Sequence, residues 1–273
     1  MSEVHAQPAP ANSLLLPQEP PAFQVVNRHG RSPFVIVVDH ASARIPRVLH
    51  NLGLTATELA RHIAWDIGAL AVATQLSQLL DAPLIAQNYS RLVIDCNRDP
   101  CVGSSIPVMS EWTAIPGNEN LSATDREQRR VSLFEPYHAA IRSILDERKV
   151  QKQPTLILAQ HSMTPIFKGV ARTMSAAVLH NRNPAFAQKV AENLRAHTGL
   201  EVAENQPYFM SDETDFTVPE HADRRGLAYA EIELRQDLIS DLSGQTLWAH
   251  HLVAVLRKTA LEFVQSEPDL STG

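Results

Sequence analysis

His40 and His161 each stand just past a short, strongly apolar run, Phe34-Val35-Ile36-Val37-Val38 and Thr155-Leu156-Ile157-Leu158-Ala159. A neutral imidazole at a buried strand end is a ready metal ligand, and two at equivalent ends of one sheet can share an ion. A catalytic zinc commonly adds a carboxylate as third protein ligand and leaves one position to water. No carboxylate follows His40 within one turn, so the third ligand must come from elsewhere; Asp66 is the choice and Asp39 the competitor. Glu231 and Glu233 are two apart in a third apolar run, so they face the same side of a strand. A carboxylate on a covered face needs a partner or a task. Beside a metal-held water it is a general base for amide hydrolysis, whereas a structural role would pair it with Arg235 or a nearby lysine. Arg91, Arg98 and Arg172 near the same rim offer guanidinium forks that suit a substrate carboxylate.

Those side chains need a scaffold that brings distant segments to one edge. Apolar, β-branched runs predict strands at 34–38, 84–86, 92–94, 155–159, 175–180 and 229–234. Helical periodicity predicts helices from Thr57 through Leu80 and over 122–150, 184–197 and 244–264. The alternation implies an α/β fold: one domain with a mixed, mostly parallel sheet and helices on both faces. Ligands of such sheets bind beyond the carboxyl ends of the strands. His40, the Asp95-Cys96-Asn97-Arg98 segment, His161 and Glu233 all fall there. Residues 1–22 hold five prolines and read as a flexible arm, 23–265 as the domain, and 266–273 as a frayed tail.

Composition narrows the function classes. The chain has 273 residues, 44% hydrophobic and 20% charged, with 24 Lys+Arg against 30 Asp+Glu. That is a globular composition, and its net charge of −6 offers no basic surplus for nucleic acid or an anionic membrane. No apolar stretch is long enough for a transmembrane helix, and residues 1–22 lack the pattern of a signal peptide. Two cysteines, Cys96 and Cys101, cannot build a disulfide framework, which points to a reducing, cytoplasmic compartment. Cys96 reads as a buried, inert thiol. With 10 glycines and no Gly-x-Ser-x-Gly, Gly-x-Gly-x-x-Gly or P-loop pattern, serine hydrolase and nucleotide-loop readings lose support.

Set in order, these segments resemble the N-formylglutamate amidohydrolase family. The matching stretches are Asp39-His40-Ala41-Ser42 with Ile45-Pro46, His62-x-x-Trp65-Asp66-x-Gly68-Ala69, and Ser90-Arg91-Leu92-Val93-Ile94-Asp95-Cys96-Asn97-Arg98. His161-Ser162-Met163-Thr164-Pro165, Glu204-Asn205-Gln206-Pro207-Tyr208, His221-Ala222-Asp223-Arg224-Arg225-Gly226 and the run from Glu231 to Leu238 complete the set, which spans about 35 to 240. That family is distantly similar to the zinc carboxypeptidases, which implies a core of their type. Here Asp95-x-Asn97-Arg98 resembles their carboxylate-binding Asn-Arg pair, and Glu233-Leu234-Arg235 their general-base segment. The position of their glutamate ligand is Ala43 in this chain.

The resemblance implies a zinc-dependent, or other divalent-metal-dependent, amidohydrolase. His40, Asp66 and His161 would hold the ion and Glu233 would act as base. Arg91 or His221 would assist the oxyanion, and Asn97, Arg98, Arg172 and Arg235 would hold substrate carboxylates. The implied partner is a small N-acyl amino acid such as N-formyl-L-glutamate. A carboxypeptidase or amidase acting on acidic peptides or cell-wall fragments would use the same residues. A non-catalytic binding protein would be expected to have lost one of them.

Overall fold

The computed structural model describes residues 14–266. Its strands are, in chain order, Phe23–Val26 (β1), Phe34–Val38 (β2), Leu84–Gln87 (β3), Met109–Ser110 (β4), Thr113–Ala114 (β5), Leu156–Met163 (β6), Ile166–Phe167 (β7), Val170–Ala171 (β8), Ala176–Leu179 (β9), Val202–Glu204 (β10) and Ala228–Arg235 (β11). Seven form one sheet in the order β1-β3-β2-β6-β11-β9-β10, while β4-β5 and β7-β8 are two small hairpins. The centre is parallel: β2 pairs with β3 and β6, and β6 with β11, whereas β1 and β9 run antiparallel to β3 and β11. The expected mixed, mostly parallel α/β sheet is therefore present.

Period-two alternation gives the two faces different partners. Ile36, Val38, Leu158, Ala230 and Ile232 pack on the helices Ala69–Leu80 (named α2, after a short α1 at Ala56–Leu59), Ala185–Thr198 (α5) and Leu242–Ser266 (α7). The opposite face packs on Glu135–Val150 (α4) and on the π-helical turn over Arg130–Phe134 that joins it to Ala123–Arg129 (α3). Thr217–His221 (α6) lies on this side as well. On this second face each central strand changes character along its length. Val35 and Val37 lead to Asp39, Ile157 and Ala159 to His161, and Tyr229 to Glu231 and Glu233.

Three expectations need correction. The helix expected from Thr57 to Leu80 is two pieces, because residues 60–68 form a loop; Asp66 sits in that loop, not on a helix. Residues 92–94 are fully buried but form turns, not a strand. Their carbonyls are taken by side chains: Leu92 O accepts from Asn118 and Val93 O from the buried Arg129. The strand through 155–159 runs on to Met163, so His161 lies inside it.

Of the expected arm, residues 14–22 are described and lie against the body. Leu14 is buried, and Tyr89 donates its hydroxyl proton to Pro20 O. Residues 1–13 and 267–273 lie outside the described residues.

Candidate metal centre and cleft

Asp66 is tied to His40 before either side chain is considered. Its backbone N–H donates to His40 O at 2.9 Å, closing the loop after β2. Two residues on, Gly68 caps α2 with φ +82, where a Cβ would stand 2.3 Å from Ile239 O. Only glycine fits that turn, so it sets where Asp66 can point.

From that anchor the side chains converge. Asp66 Oδ2 lies 2.9 Å from His161 Nδ1 and 3.5 Å from His40 Nδ1, and it also accepts the Ser162 backbone N–H. The imidazole centroids are 5.0 Å apart. His40 Nε2 lies 2.7 Å from Asp95 Oδ1, and His161 Nε2 lies 3.4 Å from Asp39 Oδ2 and 3.9 Å from Glu231 Oε2. Asp39 is itself held, its Oδ1 accepting from Tyr137 and Thr217. Among the described residues, His40, Asp66 and His161 are the one group whose ligand atoms all lie within 4.8 Å of one another.

The electrostatics favour a cation here. Burial pushes His40 down, with Arg91 adding to that push, yet Asp95 and Asp66 outweigh both and its pKa is raised. Burial likewise opposes the charge on His161, but Glu231, Asp39 and Asp66 raise it well above the usual value. Burial alone would raise the three aspartates; instead the imidazoles, and Arg91 at Asp95, hold them below the usual carboxylate range. The site is thus a small carboxylate-rich chamber whose buried His40 Nδ1 carries no hydrogen bond. Two imidazole nitrogens and a carboxylate oxygen at this spacing fit a divalent transition metal.

Glu233 lies level with His161 across the β6–β11 pair, and its buried Oε2 has no partner. Burial raises its carboxyl to about 7, with Asp66 acting in the same direction and His161 against it. Burial also raises Glu231 well above its ordinary value.

His40, Asp66, Asp95, His161, Glu231 and Glu233 line one cleft of about 570 Å³, together with Arg91, Asn97, Arg98, His62, Glu111 and Tyr208. Arg91 is 2.8 Å from Asp95 Oδ2 and 3.6 Å from Asp66 Oδ1. Asn97 spends its carboxamide on the 215–217 segment, accepting from the backbone of Phe216 and Thr217 and donating to Asp215. Arg98 reaches Asp215 at 3.8 Å. Arg172 is buried between the rings of Phe167 and Tyr208, at 5.1 and 4.8 Å, and has no carboxylate within salt-bridge distance among the described residues.

Three expected residues are not on the cleft wall: Arg172, which lies against the lining rings of Phe167 and Tyr208, His221 and Arg235. His221 is fully buried away from the cleft wall, with its Nε2 2.9 Å from His138 Nδ1. Arg235 is not on the cleft wall either; it binds Asp237 and donates to the carbonyls of Arg172 and Thr173. Conversely, Asp95, the stacked Tyr208 and the His62–Glu111 pair (3.6 Å) contribute to the cleft without having been assigned roles. The one available sign was that Asp95, His62 and Tyr208 lie within the ordered motifs. Cys96 is buried and accepts from Gln87, and burial raises its thiol well above the usual value, in keeping with an inert group.

Comparison with known proteins gives this geometry a context. The sequence profile described as N-formylglutamate amidohydrolase matches residues 32–240. An N-formylglutamate deformylase of Pseudomonas putida is 29% identical over 147 residues, covering 49% of this chain and 53% of that protein. The chain thus matches about half the length of that curated relative. The crystal structure of a gene product of Agrobacterium tumefaciens superposes with a TM-score of 0.89 and 35% identity, over 92% of this chain and 99% of that one. The N-formylglutamate amidohydrolase of Ralstonia eutropha shares the fold at a TM-score of 0.64 and 19% identity, over 90% and 98% of the two chains.

Proposed function

The chain belongs to the N-formylglutamate amidohydrolase family, and from that membership we propose a metal-dependent amidohydrolase acting on the N-formyl, or another N-acyl, amide of an acidic amino acid. N-formyl-L-glutamate would give formate and glutamate. One observation carries the reading: the Nδ1 atoms of His40 and His161 meet at Asp66 Oδ2, in one cleft with the unpartnered carboxyl of Glu233.

His40, His161 and Asp66 would hold the ion; zinc suits the donor set, as do cobalt, nickel and iron. When bound, such an ion polarises the scissile carbonyl and lowers the pKa of a water. Glu233 takes the proton of the attacking water and returns it to the leaving nitrogen. A carboxyl near 7 is close to the best compromise between being ionised and being basic. Arg91, braced by Asp95 and Asp66, faces the cleft as a fixed positive charge for the developing oxyanion. Arg172, which lies against the lining rings of Phe167 and Tyr208, is our assignment for the substrate carboxylate, because its charge is buried and not answered by a carboxylate. Asn97 and Arg98 shape the cleft wall.

The test is metal analysis of the purified protein with hydrolysis of N-formyl-L-glutamate, with and without chelator, and the same assays on Glu233→Gln. The reading expects bound transition metal, chelator-sensitive turnover, and a loss on the order of 10² or more in Glu233→Gln with metal retained. Metal-free protein with chelator-insensitive hydrolysis would overturn it, as would near-normal turnover in Glu233→Gln.

A further inference from the structure

The geometry points to an apolar subsite at the mouth of the cleft, which takes the acyl side of a substrate whose acyl group is longer than formyl. This inference deepens the amidohydrolase reading and rests on it. The cleft is divided by chemistry. Its floor carries the imidazoles, carboxylates and Arg91, whereas its outer wall adds a group of apolar side chains among polar ones such as Ser110, Glu111 and Thr214. Pro107 and Met109 come from the β4 side, Phe167 from the β7-β8 hairpin, and Pro207, Tyr208 and Phe209 from the segment after β10.

Water still reaches that wall. Met109 is 59% exposed and Phe209 69%, although both line a concavity. Apolar side chains held open on a concave wall gain most from a ligand that covers them with carbon. A formyl group adds one carbon and no methylene, so it would leave them wet. A cleft of about 570 Å³ falls in the range that encloses drug-sized ligands, roughly 300–1,000 Å³, well above a formyl-amino acid of about a dozen non-hydrogen atoms.

Charge decides which end of the substrate lies there. An acidic amine portion belongs against Arg98 on the cleft wall, because a carboxylate laid on Met109 and Phe209 would lose its hydration without a partner. The acyl chain is the part left for the apolar wall. The ligand class is therefore an N-acyl acidic amino acid with an aliphatic acyl chain of several carbons.

A series of N-formyl-, N-acetyl-, N-butanoyl-, N-hexanoyl- and N-octanoyl-L-glutamate separates the possibilities. Binding is measured by calorimetry on the Glu233→Gln protein as purified, and turnover on the wild type. Affinity should rise about twofold to fourfold per added methylene until the chain clears the mouth. The hexanoyl-to-formyl ratio should fall in Met109→Ser and Phe209→Ser. Length-dependent binding without any hydrolysis would sink the amidohydrolase reading and leave the acyl subsite standing. Tightest binding of the formyl compound, or a flat series, would overturn the subsite. So would a length effect confined to N-formyl-glutamyl amides extended on the carboxyl side. Self-association that covers the mouth, seen by sedimentation with no length dependence, would assign the wall to a second copy instead.

Discussion

Asp95 stands directly behind His40, its Oδ1 2.7 Å from Nε2. A carboxylate only accepts, so that nitrogen carries the proton and the lone pair is left on Nδ1, which faces Asp66. Asp39 Oδ2 lies 3.4 Å from Nε2 of His161, near enough for its charge to act but without a hydrogen bond. Each imidazole thus has a buried carboxylate behind it; at His40 that carboxylate fixes the tautomer, and at both it raises the basicity toward a metal. Asp95→Ala and Asp39→Ala should each weaken zinc binding by a factor on the order of 10–100, read by competition with a chromophoric chelator. Unchanged affinity in both would mean that packing alone orients the rings.

Arg172 carries a prediction of a different kind. Losing a charge-assisted contact of about 1.5–3 kcal/mol should raise KM for N-acyl-L-glutamate roughly 10- to 100-fold in Arg172→Ala, with kcat much less affected. The matching N-acyl-L-glutamine should show a smaller rise. Equal effects on both substrates would place the guanidinium at some other part of the ligand.

The pair His138–His221 makes stability depend on pH. His138 Nε2 donates to Cys96 O, so its Nδ1 must accept from His221 Nε2, and Nδ1 of His221 is buried without a partner. Burial lowers His138 to about 4, and burial with the neighbouring His138 lowers His221 further. As pH falls below about 6.5 the unfolded chain takes up protons that the folded chain refuses, so stability drops with falling pH. Each histidine contributes up to about 1.4 kcal/mol per pH unit, down toward its folded value. Glu231 and Glu233, raised by burial, act with the opposite sign, so the measurement is a difference between proteins. His221→Gln keeps the donor to His138 but should lose stability less steeply than wild type between pH 6.5 and 5 in urea unfolding. Parallel curves would show that His221 is protonated in the fold.

Gly68 offers a backbone test. Gly68→Ala puts a Cβ 2.3 Å from Ile239 O at φ +82, whereas Gly169, at φ +79, has nothing within 4 Å. Both substitutions incur the cost of a left-handed conformation, at least about 1 kcal/mol. Gly68→Ala alone should add a steric loss and weaken metal binding by moving Asp66. Equal thermal shifts and intact metal affinity in both variants would separate the turn from the site.

The sheet was legible because continuous apolar runs such as Phe34–Val38 can be buried only between two layers, and their ends mark the rim. The run Leu92-Val93-Ile94 is equally apolar and equally buried, but its carbonyls are served by Asn118 and Arg129 rather than by a strand. Those partners lie far along the chain, so hydropathy alone could not tell the cases apart. The break at 60–68 contains no proline and was read through as helix. His40, Asp66 and His161 could be chosen by residue type and position. The part played by Asp95 depends on which imidazole nitrogen it meets, and that exists only in three dimensions. His221 shared a motif with the cleft residues, yet it belongs to a packed histidine pair.

The partners in the metal chamber are remote in the chain: His40 and Asp95 are 55 residues apart, and Asp66 and His161 are 95 apart. They meet only when β2 and β6 lie side by side, a non-local pairing that forms slowly compared with any single helix. A chain emerging from the ribosome has no partial version of the complete ligand set until β6 has been made and docked. Uptake of the proposed ion would therefore be a late event in assembly, and its appearance during refolding would be a clock for closure of the central sheet.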